Sequence, residues 1–217
     1  MPYVNKQILR IILVTCFLSL VTLLVMGQRF NFSFAGGTGY HAPRYATVEQ
    51  LQGTGSIDHN GTKRPLTIAS KIARGEIVTT NAGSYVELGF GSSHVALDER
   101  STLTIIENDQ DGLALNLDSG RLLATADSSL KIKTGQTESV VGNGLVSIIN
   151  YDFLWRADVW PINTTVTITS PADGTFATST GVQVATDDSI KSLPVVEDFT
   201  HGPSAAFYAW TDSMAAR

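Results

Sequence analysis

Between Val48 and Val196 apolar and polar residues alternate, and Gly, Asn, Asp or Ser interrupts the alternation every eight to twelve positions. A period of two belongs to strands with one buried face. The spacing therefore predicts an all-β domain, either an antiparallel sandwich or a solenoid-like stack of short strands. In SYVELGF, Val86, Leu88 and Phe90 share one face while Tyr85, Glu87 and Gly89 share the other. HVALD, with Val95 and Leu97 inward, follows a turn at Gly91-Ser92-Ser93. LALNLD sets Leu113, Leu115 and Leu117 inward and is expected to turn at Ser119-Gly120 into RLLATA. LKIKT buries Leu130 and Ile132 and leaves Lys131 and Lys133 outside. Asn60-Gly61 predicts a tight hairpin, because a type I′ turn needs positive φ at both central positions.

A different pattern precedes these strands. The run from Ile11 to Met26 is uncharged, and with Ile8 and Leu9 the apolar stretch reaches 19 residues. That approaches the roughly 20 residues needed to cross about 30 Å of hydrocarbon, so one N-terminal transmembrane helix is expected within a membrane anchor over 1–28. A cleaved signal peptide is the competing expectation. Its small-x-small site fits poorly, since Val25-x-Gly27 lies too near the apolar run and Ser33-x-Ala35 too far from it. A lipoprotein signal ending at Cys16 fits less well, because a long apolar stretch follows that cysteine. Lys6 and Arg10 before the run, against Arg29 and Arg44 after it, give a slight bias toward a cytoplasmic N-terminus and an extracytoplasmic β domain. Residues 29–47 mix Gly, polar and aromatic residues without a period and form a juxtamembrane linker, with Phe30, Phe32, Phe34 and Tyr40 suited to the membrane interface.

Charge narrows the partners. No acidic residue precedes Glu49, while the chain carries 15 basic and 20 acidic residues, so the part beyond the linker holds 11 basic against 20 acidic groups. That surplus disfavours phosphate backbones and anionic headgroups, and no nucleic-acid partner is expected. The single cysteine lies in the apolar run, so a packed core and no internal disulfide must hold the β domain.

One block carries a family likeness. GEIVTTNAGSYVELGFGSSHVALDERSTLTI, Gly75 to Ile105, has a Gly-x-Ile-x-Thr phrase, a Ser-led alternating strand, a short turn and a second strand ending in Asp. With LNLDSGRLLATADSSLKIKT, Leu115 to Thr134, it resembles the FecR domain family over about Ile72 to Tyr151, with a looser upstream strand at Leu51 to Ile57. The family's G-T-x-F-x-V phrase is here Gly142-Asn143-Gly144-Leu145-Val146, and its Asp-Gly-Ser turn is Gly91-Ser92-Ser93. The resemblance implies a FecR-like β domain, over 48–196, on a single-pass protein of a bacterial inner or plasma membrane that binds other envelope proteins. Regulatory members of the family add a cytoplasmic anti-sigma domain and a C-terminal signalling domain. With about ten residues before the helix and 21 after Val196, both are expected to be absent here. TTVTITSPADGTFATSTGVQV, Thr164 to Val184, looks like the opening of a bacterial Ig-like repeat, but a further hairpin of the same domain closed by Asp173-Gly174 is the favoured expectation.

Candidate chemistry is sparse. Glu107, Asp109, Asp111, Gly112 and Asp118 occupy positions of a calcium-loop template, yet strands and not helices flank them, which favours a polar hairpin tip. His41, His59, His94 and His201 have no second His or Cys at ligand spacing. His94 with Asp98 and Ser92 or Ser93 has the residue types of a nucleophilic triad without the G-x-S-x-G elbow. Gly36-Gly37 and Gly53-x-Gly55 lack the helix a phosphate loop requires. Sequons at Asn31, Asn60 and Asn163 matter only in a glycosylating pathway, against which the resemblance argues. No catalytic, cofactor-binding or metal residue and no cofactor is therefore assigned, and no enzymatic activity is expected. The tail, 197–217, is expected to hold a short helix from Ser204, with Phe207 and Trp210 on one face docking on the sheet. The expected function is a membrane-anchored, non-enzymatic binding module of envelope signalling or assembly; the alternative is a structural or surface-display β protein.

Overall fold

The computed structural model describes residues 44–109, 112–151, 154, 156–185, 187–193, 199–202 and 204–215. The expected anchor and most of the linker, with Cys16, Asn31, Gly36-Gly37 and His41, lie outside them. So does Asp111. No helix among the described residues is long and apolar enough to cross a membrane.

The described residues form seventeen strands and one helix. Pairing sorts the strands into two sheets. The first runs β4 (Lys71–Ile72), β1 (Ala46–Gln52), β6 (Tyr85–Phe90), β7 (Ser93–Leu97), β9 (Leu113–Ala126), β12 (Gly144–Tyr151), β13 (Arg156–Pro161), β16 (Val182–Val184), β17 (Ile190–Ser192). The second runs β3 (Thr62–Pro65), β2 (Gly55–His59), β5 (Ile77–Thr80), β8 (Thr102–Asn108), β9 again, β10 (Leu130–Thr134), β11 (Thr137–Val141), β14 (Val166–Ser170), β15 (Gly174–Thr178). One core cluster draws Val48, Val86, Leu88, Val95, Leu97, Leu122 and Ile148 from the first sheet and Ile57, Val78, Leu103, Leu115, Leu117, Ile132 and Ile168 from the second. The described residues thus form a sandwich. Past β9 it also has the character of a stack, since the hairpins β10–β11, β12–β13, β14–β15 and β16–β17 alternate between the sheets.

The alternation places side chains as expected: Val86, Leu88, Val95, Leu97, Leu115, Leu117, Leu130 and Ile132 are fully buried. Asn60 and Gly61, at φ 51° and 82°, close the β2–β3 hairpin. The Asp173-Gly174 turn closes β14–β15, and β14 pairs with β11, so this segment belongs to the same sandwich.

Three expectations are corrected. Ser119-Gly120 is not a turn: β9 continues through it, pairing with β8 and β10 before it and with β7 and β12 beyond it. Gly120, at φ +92°, bends the strand from one sheet into the other where Ser101 packs against it. The strand expected from Leu51 to Ile57 is two strands, because the chain leaves the first sheet after Gln52 and enters the second at Gly55. The sandwich is not wholly antiparallel. After β9 ends in the first sheet, the chain returns beside the first half of β9, so β10 pairs with it in parallel, Leu130 opposite Leu113.

The tail forms α1 (Ala205–Ala215), which lies on the outer face of the first sheet. Phe207 and Tyr208 are buried there in a cluster with Ala96, Tyr85, Leu123, Phe199 and Trp210. Tyr85 stacks near Phe207 and Trp210, with centroids 5.8 and 5.6 Å away. The Tyr208 hydroxyl accepts from Arg121 Nη1 at 2.7 Å and lies 2.8 Å from Ser147 Oγ.

Candidate functional site

The outer face of the first sheet acquires its chemistry from a fault in its pairing. Along β1 and β6, Val48 lies opposite Leu88 but Gln50 lies opposite Glu87, so Glu49 is the extra residue of a β-bulge. A bulge keeps Val48 and Leu51 directed at the core while adding one residue to the outer face. Glu49 thereby joins Glu87 of β6 and His94 of β7 on that face. Gly89, opposite His94, makes the space, since a Cβ there would collide with the Glu49 carboxylate.

The resulting cluster is tight. Glu49 Oε2 lies 2.9 Å from His94 Nδ1, and Glu87 Oε1 lies 3.8 Å from the same nitrogen. The three potential ligand atoms fall within 4.8 Å of one another. Burial pushes the Glu87 carboxyl above its usual range; His94 lowers it and Glu49 raises it further. The side chains remain reachable, with exposures of 39% for His94, 37% for Glu49 and 21% for Glu87.

These residues help line a groove of about 430 Å³ between the sheet and α1. Ala96, Leu123, Leu145 and Trp210 give it apolar lining; Gln50, Thr125, Thr211 and Asp212 add polar groups. Such a surface suits a ligand with an apolar body and a polar end.

The triad residues do not assemble. His94 engages Glu49 and Glu87, whereas Asp98 accepts from the Glu99 amide at 2.7 Å and lies 3.7 Å from Arg121. Ser93 is buried, its Oγ accepting from the Asp127 amide at 3.1 Å. The calcium template is likewise dispersed. Glu107 pairs opposite Ala114, and Asp118 lies four residues farther along β9, about 13 Å at 3.3 Å per residue. Asp118 accepts from Thr104 Oγ1 at 2.7 Å, while the Gly112 amide donates to Asp109 Oδ1 at 3.3 Å within the hairpin tip. His59 faces Glu76 at 3.9 Å, but Arg64 holds that carboxylate at 3.0 Å. His201 lies 2.8 Å from Thr200 Oγ1. Asn60 is exposed in its turn, and Asn163 Oδ1 accepts from the Leu145 amide at 2.6 Å.

Sequence reasoning missed Glu49 and Glu87 as site residues. The only available signal was that Glu87 and His94 share the outward set of a predicted hairpin. Nothing in the alternation marks Glu49.

No family model matches the chain, and no curated protein does. Among solved structures, two crystal structures of a candidate anti-sigma factor from Parabacteroides distasonis ATCC 8503 align with it. Each is 13% identical and covers 57% of this chain, with TM-scores of 0.48 and 0.49. The chain spans 61% of the length of that protein. The likeness is loose.

Proposed function

We propose that this chain is a membrane-anchored, extracytoplasmic β-sandwich module that binds another envelope protein in signalling or assembly, without enzymatic activity of its own. The observation that carries the proposal is the groove that α1 forms with the outer face of the first sheet, lined by both apolar and charged side chains. The FecR-like block from Gly75 to Ile105 supports the same assignment, because its strands β6 and β7 supply Glu87, His94 and Ala96 to that groove. The apolar run from Ile8 to Met26 supports the anchor.

The test is site-specific photocrosslinking of the full-length chain in cells, with the crosslinker at Gln50, Thr125 or Thr211 of the groove and at Lys131 of the second sheet as control. A reproducible adduct with one envelope protein from the groove positions, absent from Lys131, is the expected result. Equal labelling from Lys131, or none from the groove, refutes the proposal. Carbonate extraction checks the anchor: the full chain stays with the membrane pellet, and deletion of residues 1–28 releases it.

A further inference from the structure

We propose that Glu49, Glu87 and His94 form a binding site for a divalent transition cation of the zinc type. The inference rests on the geometry of these side chains and not on whether a protein partner occupies the groove. Two carboxylates converge on one imidazole nitrogen, at 2.9 and 3.8 Å. A single N–H serves only one of them well. Among the described residues Glu87 accepts no hydrogen bond, and its Oε1 lies 3.8 Å from His94 Nδ1. Two carboxylates brought together on a partly buried sheet face repel one another, a repulsion that a bound cation relieves, as does a proton on one of them. Ligand bonds of about 2.1 Å in tetrahedral arrangement put ligand atoms about 3.4 Å apart. The observed separations bracket that value, so small side-chain adjustments accommodate the ion.

The framework is also of the kind that holds a metal. The three ligands come from three adjacent strands, β1, β6 and β7, and are not displayed on a loop. A bulge delivers Glu49, and a residue without a Cβ, Gly89, clears its place. With one nitrogen and two oxygen ligands the site selects zinc over calcium, which prefers six to eight oxygens. Three protein ligands would leave a fourth position for water; Asp212 of α1 lines the same groove.

The experiment uses the untagged full-length chain in detergent micelles, dialysed against Zn2+, Mn2+ or Ca2+ and assayed for bound metal. One Zn2+ per chain is expected, with weaker Mn2+ and no Ca2+ binding. Glu49→Gln, Glu87→Gln and His94→Ala each lower zinc affinity by about tenfold or more, while His59→Ala and Glu107→Gln leave it unchanged. Because a variant that unfolds would also lose metal, zinc-dependent shifts of the His94 imidazole nitrogen signals are followed in the unsubstituted chain. Zinc binding that survives His94→Ala, or an absence of saturable binding with unshifted His94 signals, overturns the site and leaves an ion pair only.

Discussion

Gly120 and Asp98 show how single residues answer to their surroundings. A methyl group at Gly120 would stand 2.5 Å from Ser101 Cα, and the backbone there has φ +92°. Gly135 also has positive φ, 63°, but faces open space. Gly135→Ala should therefore cost about 1 kcal/mol of backbone strain, whereas Gly120→Ala adds a collision and should cost about 3 kcal/mol or more. Urea midpoints of the two variants check the difference, and equal losses would show that the β9 bend relaxes freely. Asp98 makes one contribution to the pH dependence of stability. Burial raises its carboxyl above the usual range, opposed by the Glu99 amide and Arg121. The folded chain then holds this proton more tightly than the unfolded chain, whose carboxyl titrates near about 3.9. The contribution is full below that value and is lost as pH rises through the folded value. Stability of the unsubstituted chain should thus fall relative to Asp98→Asn from about pH 4 upward, as read by urea unfolding at successive pH values. Parallel curves would place the proton elsewhere.

At the scale of elements, α1 is a satellite of the sandwich and not part of its core. Phe207 and Tyr208 belong to a cluster separate from the one between the sheets. Phe207→Ala should cost about 3–5 kcal/mol at this interface. The expected outcome is rapid hydrogen exchange in α1 with little change in β5, β8 and β9; loss of protection throughout would mean the helix is integral to folding. Legibility also divides by element. The alternation in β6, β7 and β10 could be read because each strand keeps one face on the core, and the docking face of α1 because Phe207 and Trp210 stand three apart. Ser119-Gly120 reads as a turn because a glycine with positive φ serves a turn and a strand bend equally, and only the partners β7 and β12 distinguish them. The cluster of Glu49, Glu87 and His94 was illegible for a related reason. It joins residues 45 apart and depends on a one-residue register shift, which alternation alone does not reveal.

The whole molecule turns on β9. Its first half lies between β8 and β10 in the second sheet, and its second half between β7 and β12 in the first. Leu115 and Leu117 from one half and Leu122 and Ala124 from the other enter the same core cluster. Neither sheet can keep its central strand if the other releases it, so the two should open together, in contrast to edge strands such as β17, which among the described residues pairs only with β16. Leu117→Ala, at a fully buried position of the second sheet, should cost about 2–5 kcal/mol. Native-state hydrogen exchange then distinguishes two architectures. If β9 couples the sheets, amides of β7 and β12 in the first sheet lose protection by the same free energy as those of β8 and β10 in the second, while β17 exchanges fast with and without the substitution. If the sheets were separate layers that merely stack, protection would fall in the second sheet alone. The same coupling bears on the groove: His94 lies opposite Thr125 of β9, so a strain introduced at Leu117 should loosen the Glu49–Glu87–His94 cluster without touching it.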